Sequence, residues 1–345
     1  MGAPKRILND VVIIRPLAIF LLVVWHSFII YTGGWKAPVG YRPVESYWWI
    51  GKVSYAFMLE LFVFISGYVF ALSLEKKELS FIRVVKEKFR RLIIPSLIFS
   101  TIYYLLFFNL AGFTLLGFAM SVLEGCGHLW FLPMLFWTTV ICFCLNAINW
   151  PEWVKMMLVV CLVIFSIAPL PLGLSSALYY TLFFYVGMWI YKKKDSIKAF
   201  NWRYSSLLGI LFFLLFIVGT QVDRDILSEM VENSPFFLKA IALLATKYIR
   251  VGYALCGIAF VYVSVNSLLK ATRWKPSGWI LELNATCFGI YLFQQFILQF
   301  LYYKSPIPSL VGPYWLPWIG LVVALLASYV LTKISLKTSF GRQLM

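Results

Sequence analysis

Residues 13–31 read IIRPLAIFLLVVWHSFIIY. The run is apolar and long enough to cross a bilayer, which takes about 20 such residues. It nevertheless carries Arg15 at one end and His26 inside, and each is costly in hydrocarbon. The rest of the chain is of the same kind. Of 345 residues, 62% are hydrophobic and 13% charged, with a mean hydropathy of +0.85. Such a composition excludes a soluble domain and leaves one all-α, polytopic integral-membrane domain over 1–345. A net charge of +16 would point to nucleic acid in a soluble chain; here the placement of the charges matters more than their sum.

Ten spans can be drawn: 12–31, 53–74, 92–118, 129–147, 156–170, 174–191, 204–221, 250–268, 280–303 and 315–332. With the N-terminus inside, 22 of the 30 Lys and Arg fall on the inner side and eight on the outer. By the positive-inside rule both termini are cytoplasmic. The pair 156–170 and 174–191 is the weakest; losing both together leaves the other orientations unchanged. A cleavable signal peptide is the alternative for the first span, with Lys5 and Arg6 as its basic region, but no A-x-A-like site follows. The six cysteines show no metal-ligand spacing. The longest outer connection, 222–249, reads as a surface-lying amphipathic helix.

Arg15 and His26 are eleven residues apart, about 16 Å of rise and about 20° of rotation on a helix, so they share a face. Pro16 suits a helix start. An ionisable group at this depth faces a bundle interior or a wet cavity and marks function; the other reading is a neutral imidazole satisfied by a backbone carbonyl. In the second span Glu60 is the acidic residue placed deep within hydrocarbon, about 10 Å from the outer end. It can orient the imidazole, or stay protonated and merely hydrogen-bonded. Six residues on, Ser66-Gly67 admits close approach of another backbone. Seven basic residues crowd into the inner loop at 75–91, ending in Lys88, Arg90 and Arg91 before Pro95. Topology and lipid headgroups explain the number; a phosphate-bearing ligand explains the crowding at one helix entrance. His128 opens the fourth span beside Trp130, with Glu124 four residues before it. This is an interfacial aromatic belt or a sugar-binding group on the outer face.

Together these pieces resemble the acyltransferase 3 family of membrane O-acyltransferases. The landmarks come in order: RPLAIFLLVVWHS, LFVFISGYVF, KFRRLIIP, HLWFLPML and, in the ninth span, CFGIYLFQQFI. The resemblance implies transfer of an acyl group, usually acetyl from acetyl-coenzyme A, to a hydroxyl of a surface glycan or its lipid-linked precursor. It matches His26 to the essential histidine, Arg15 to the arginine before it, Lys88 and Arg91 to the basic pair, and His128 with Trp130 to the histidine–tryptophan block. Asp10 lies farther from Arg15 than the family's aspartate, and Gln294-Gln295 stands where histidine often follows GIYL.

The expectation is therefore a bacterial inner-membrane O-acetyltransferase of cell-envelope polysaccharide. His26 serves as general base or transient acyl carrier, and Glu60 is its orienting partner. Arg15, Lys88, Arg90 and Arg91 hold the phosphates of acetyl-CoA, and His128, Trp130 and Glu124 meet the acceptor. A flippase of a lipid-linked sugar is the rival reading, and a purely structural or lipid-binding membrane protein is a third.

Overall fold

The computed structural model describes residues 8–76, 79–108, 113–194, 202–272 and 275–344. Lys5, Arg6, Lys77, Lys198 and Arg273, counted above among the inner charges, lie outside the described residues. Among the described residues the chain is helical and contains no strand.

The opening run forms α1, Asn9–Phe28, continued by a 3-10 turn at Ile29–Tyr31. Arg15 and His26 thus lie on one helix, as their spacing predicts. Pro16 does not start it but sits inside it, because the helix begins earlier, at Asn9. The missing proline N–H leaves the Val12 carbonyl without its helical donor. Asp10 lies in the first turn, where a negative charge complements the helix dipole, and its Oδ1 accepts from the Val11 N–H at 2.9 Å. The second span is broken in two: α2 runs Glu45–Tyr55 and α3 runs Met58–Lys76.

Residues 75–91 are not a loop throughout. Ser80 Oγ accepts from the Arg83 N–H and caps α4, Phe81–Lys88. A π turn at Phe89–Ile93 leads into α5, Ile94–Phe107. The third expected span therefore starts about a dozen residues early and stops at Phe107. α6, Leu115–Glu124, is a separate helix. A 3-10 turn at Gly127–Trp130 opens α7, Phe131–Ala147. α8 is Glu152–Phe165 and α9 is Leu174–Lys192. α10 is Trp202–Val222, followed by a π turn at Asp223–Leu227 and α11, Ser228–Asn233. α12 is Phe236–Thr272, α13 is Gly278–Tyr303, α14 is Ile307–Lys337 and α15 is Ser339–Leu344.

Among the described residues, eight helical stretches are long and apolar enough to cross a membrane: Asn9–Tyr31, Glu45–Lys76, Phe81–Phe107, Gly127–Ala147, Trp202–Met230, Phe236–Thr272, Gly278–Tyr303 and Ile307–Lys337. The expected fifth and sixth spans fall short of that standard. α8 has 14 residues, about 21 Å of helix against a core of about 30 Å. α9 is long enough, but Tyr179, Tyr180, Tyr185 and Tyr191 dilute its apolar character. These rings are buried, so the helix is solvated by protein and needs no lipid-compatible surface. The expected surface helix over 222–249 is also absent as a separate element. Its residues extend α10 through α11 and open α12, with the turn at Ser234-Pro235 between them.

The chain divides into two compact units. The first takes in the chain up to Phe62, a short stretch ending at Gly209, and Gly257–Arg342. Its centre is α1 packed on α13 and α14. In α14 the helix is interrupted at Gly312, with φ 70°, and carries Pro313 and Pro317. Each break strands a carbonyl, and tyrosines from the segment after α1 supply the donors. Pro317 cannot donate to the Pro313 carbonyl, so Tyr31 does. One turn before the Gly312 break, the Pro308 carbonyl accepts from the Tyr41 hydroxyl at 3.0 Å. Buried backbone acceptors need such partners. Gly289 and Gly320 let α13 and α14 approach: a Cβ at Gly289 would strike Thr332, and one at Gly320 the Tyr302 hydroxyl.

The second unit takes in the rest of α3 through α9, together with Ile210–Cys256. Here α3 and α9 touch backbone to backbone. A Cβ at Gly67 would collide with the Phe184 carbonyl, and one at Gly187 with the Phe64 carbonyl. The close approach expected at Ser66-Gly67 is thus present, and it is reciprocal. Glu152 at the start of α8 accepts from the Tyr185 hydroxyl at 2.7 Å and pairs with Lys192 at 3.1 Å, which fixes the two ends of the α8–α9 hairpin.

Candidate functional site

α1 and α13 lie side by side and run parallel. Their contacts show it, because they advance together along both helices: Arg15 Nη1 donates to Asn284 Oδ1 at 3.4 Å, and His26 Nδ1 meets Gln294 Oε1 at 3.1 Å. Eight residues beyond Gln294, the Tyr302 hydroxyl reaches back to donate to the Ser27 carbonyl at 2.7 Å. The eleven-residue interval in α1 and the ten-residue interval in α13 therefore match in rise. Arg15 and His26 share a face, and that face looks onto a line of polar groups on α13.

His26 is buried, and Gln294 is completely so. With a carboxamide oxygen facing it, Nδ1 must carry the proton, which leaves Nε2 as the basic nitrogen. The ring is further fixed by Trp35, stacked nearly parallel to it at 5.9 Å between centroids. Trp35 is held in turn by the edge of Tyr302 and the tilted ring of Tyr303, at 6.3 Å each. The Tyr303 hydroxyl donates to the Lys36 carbonyl at 2.8 Å, tying down the segment that bears Trp35. An imidazole locked in one tautomer and one plane is suited to move a proton or accept an acyl group at a fixed point. Gln294 Nε2 has no hydrogen-bond partner among the described residues. A buried donor left in that state costs about 1–3 kcal/mol.

Glu60 belongs to the same unit. It lies in the first turn of α3 and is fully buried.

The remaining expected site residues belong to the second unit. Lys88 ends α4 with its ammonium 5.3 Å from the centre of the Phe70 ring. Arg90 and Arg91 follow on the π turn, both exposed. A π turn shifts the register of the side chains after it, and such turns gather at functional sites. Solvent-reaching guanidiniums beside a less exposed ammonium suit an anionic ligand such as a phosphate. α4 is strongly amphipathic: Phe81, Ile82 and Phe89 are exposed and line a groove with Val85, Lys86, Arg90 and Ile94.

His128 is buried in the 3-10 turn, 6.3 Å from Tyr103 in an edge-on arrangement. Trp130 packs against Tyr180 at 6.2 Å, and Glu124 is exposed at the end of α6. The glycines around this turn are demanded by the backbone: Gly125 and Gly127 have φ 90° and 58°, and a Cβ at Gly125 would strike the Trp130 N–H. The ring of His128 is thus placed by the turn and not by the span behind it.

The sequence alone does not place Asn284 and Gln294 in the site; Gln294 stands out in it only as a departure from histidine after GIYL. A polar pair about ten residues apart in an apolar span, matching Arg15 and His26 in α1, was the signal available.

A family model described as an acyltransferase domain, acyltransferase 3, matches residues 9–333. No curated protein and no solved structure matches the chain.

Proposed function

This chain belongs to the acyltransferase 3 family, and we propose that it is a bacterial cytoplasmic-membrane O-acetyltransferase. It moves an acetyl group from cytoplasmic acetyl-CoA to a hydroxyl of a cell-envelope polysaccharide or its lipid-linked precursor. The observation that carries this reading is the His26–Gln294 hydrogen bond, which leaves a basic Nε2 on a buried imidazole.

In this reading His26 is the general base. Nε2 takes the proton of the acceptor hydroxyl as its oxygen attacks the thioester carbonyl. The C–O bond forms, the C–S bond breaks, and the proton passes from His26 to the departing thiolate. This route needs donor and acceptor present together but no covalent enzyme intermediate, and we prefer it to an acyl-histidine. Glu60 stabilises the imidazolium by its charge, while Gln294 fixes the orientation of the ring. Arg15 lies on the donor path, roughly three helical turns from His26. Lys88, Arg90 and Arg91 hold the phosphates of the coenzyme by charge-assisted hydrogen bonds. His128 and Trp130, with Glu124, meet the acceptor, since a ring and a hydrogen-bonding group side by side suit a sugar.

The test is transfer of radiolabel from acetyl-CoA to envelope glycan by membranes bearing the protein. His26→Ala is expected to lower the rate at least about 100-fold, the lower end of what a general base contributes, at unchanged protein level. Labelling that persists in the variant would remove His26 from the chemistry.

A further inference from the structure

We propose that the carboxamide of Gln294 is the oxyanion donor of this acyl transfer, its Nε2–H receiving the charge that develops on the thioester carbonyl oxygen. The inference rests on the acyl-transfer reading and adds a catalytic residue to it. Three observations support the assignment. Gln294 Oε1 is engaged by His26 Nδ1 at 3.1 Å, so the side chain is fixed to the very ring that serves as base. Its other end, Nε2, is a fully buried donor with no partner among the described residues. And the residue sits in the middle of α13, parallel to and in step with α1, so it cannot turn away without breaking its contact to His26.

The geometry of the step requires a donor at such a place. As the acceptor oxygen gives its proton to His26 Nε2 and bonds to the carbonyl carbon, the electron pair of the carbonyl π bond moves onto oxygen. That oxyanion lies two covalent bonds from the atom that His26 deprotonates. Gln294, hydrogen-bonded to Nδ1, meets it along the Cε1 edge that the two ring nitrogens share, which places the acceptor hydroxyl on that edge. When the tetrahedral species collapses, the pair returns to re-form the carbonyl, the C–S bond breaks and the thiolate takes the proton held by His26. A preorganised donor in a dry interior stabilises the charged species far more than it does the neutral thioester. It should therefore appear in turnover and not in donor binding. It also accounts for a buried amide N–H that nothing among the described residues satisfies.

Gln294→Glu separates this role from mere positioning. The substitution keeps an oxygen to accept from His26 Nδ1 and replaces the N–H donor with an acceptor. With [14C]acetyl-CoA and an envelope glycan fraction, its kcat is expected to fall about 100-fold or more. Its KM for acetyl-CoA should stay within about twofold of wild type. A second readout does not depend on turnover. The carbonyl stretch of bound [1-13C]acetyl-CoA should lie at lower frequency in the wild-type protein than in solution. It should return toward the solution value in Gln294→Glu. Gln294→Met, neutral and similar in length, provides the same spectral comparison where a buried carboxylate prevents folding. Wild-type turnover in Gln294→Glu, or a carbonyl band that is unshifted in the wild type or still shifted in Gln294→Met, would overturn the assignment. A wild-type protein that transfers no acetyl group would instead fail the acyl-transfer reading, and this inference with it.

Discussion

A histidine in an apolar interior does chemistry with whichever nitrogen its neighbours leave basic. Here the choice is made by one contact across 268 residues of sequence, from His26 Nδ1 to Gln294. The shared face of Arg15 and His26 could be read from their spacing alone, because both lie on one unbroken helix. Their partners could not, since no local rule says which of the later spans lies beside the first, or in which register. Two predictions belong to this scale. Glu60→Gln keeps the size of the side chain and removes its charge. In the proposed mechanism turnover should fall about tenfold while the protein elutes and melts as wild type; full activity would make Glu60 a packing residue. Arg91→Ala removes a charge-assisted contact worth about 1.5–3 kcal/mol. The KM for acetyl-CoA should therefore rise about tenfold or more with kcat little changed. An unaltered KM would return Arg91 to membrane topology.

At the scale of elements, small residues and helix irregularities do the positioning. Gly67 and Gly187 put α3 and α9 in backbone contact, each against a carbonyl of the other helix. Gly187→Ala should destabilise the protein by about 1–3 kcal/mol, the usual range for overpacking, read as a lower thermal midpoint in detergent. An unshifted midpoint would mean that the two helices can separate freely. The contribution of Gly67 was visible in the sequence, but that of Gly187 was not, because a glycine in an apolar run shows its purpose only when the facing helix is known. The π turn at Phe89–Ile93 escaped notice for a related reason. Its residues, FRRLI, carry no breaker, and one extra residue per turn leaves no mark on composition. The kink in α14 did have a visible cause in Gly312, Pro313 and Pro317. What the sequence did not announce was that Tyr31 and Tyr41 would satisfy the carbonyls that these residues strand.

For the whole molecule, composition set the class: an all-helical, multi-pass membrane protein. The number of spans was harder. Hydropathy finds helices that face lipid, whereas α9 is surrounded by protein and α8 is short, so length and hydropathy mark eight crossings among the described residues and do not count the α8–α9 pair. In the proposed arrangement the excess of Lys and Arg on one side does not depend on this pair, because α8 and α9 crossing or not crossing together leaves every other orientation unchanged. Both termini are then cytoplasmic in the proposed arrangement, with donor and acceptor on opposite sides of His26. Sealed right-side-out vesicles loaded with [14C]acetyl-CoA test that arrangement most directly. The account predicts label on glycan exposed at the outer surface, removable by hydroxylamine added outside, and little or none with His26→Ala. Label that forms only in leaky vesicles, or that the His26 variant transfers as well as wild type, would contradict it.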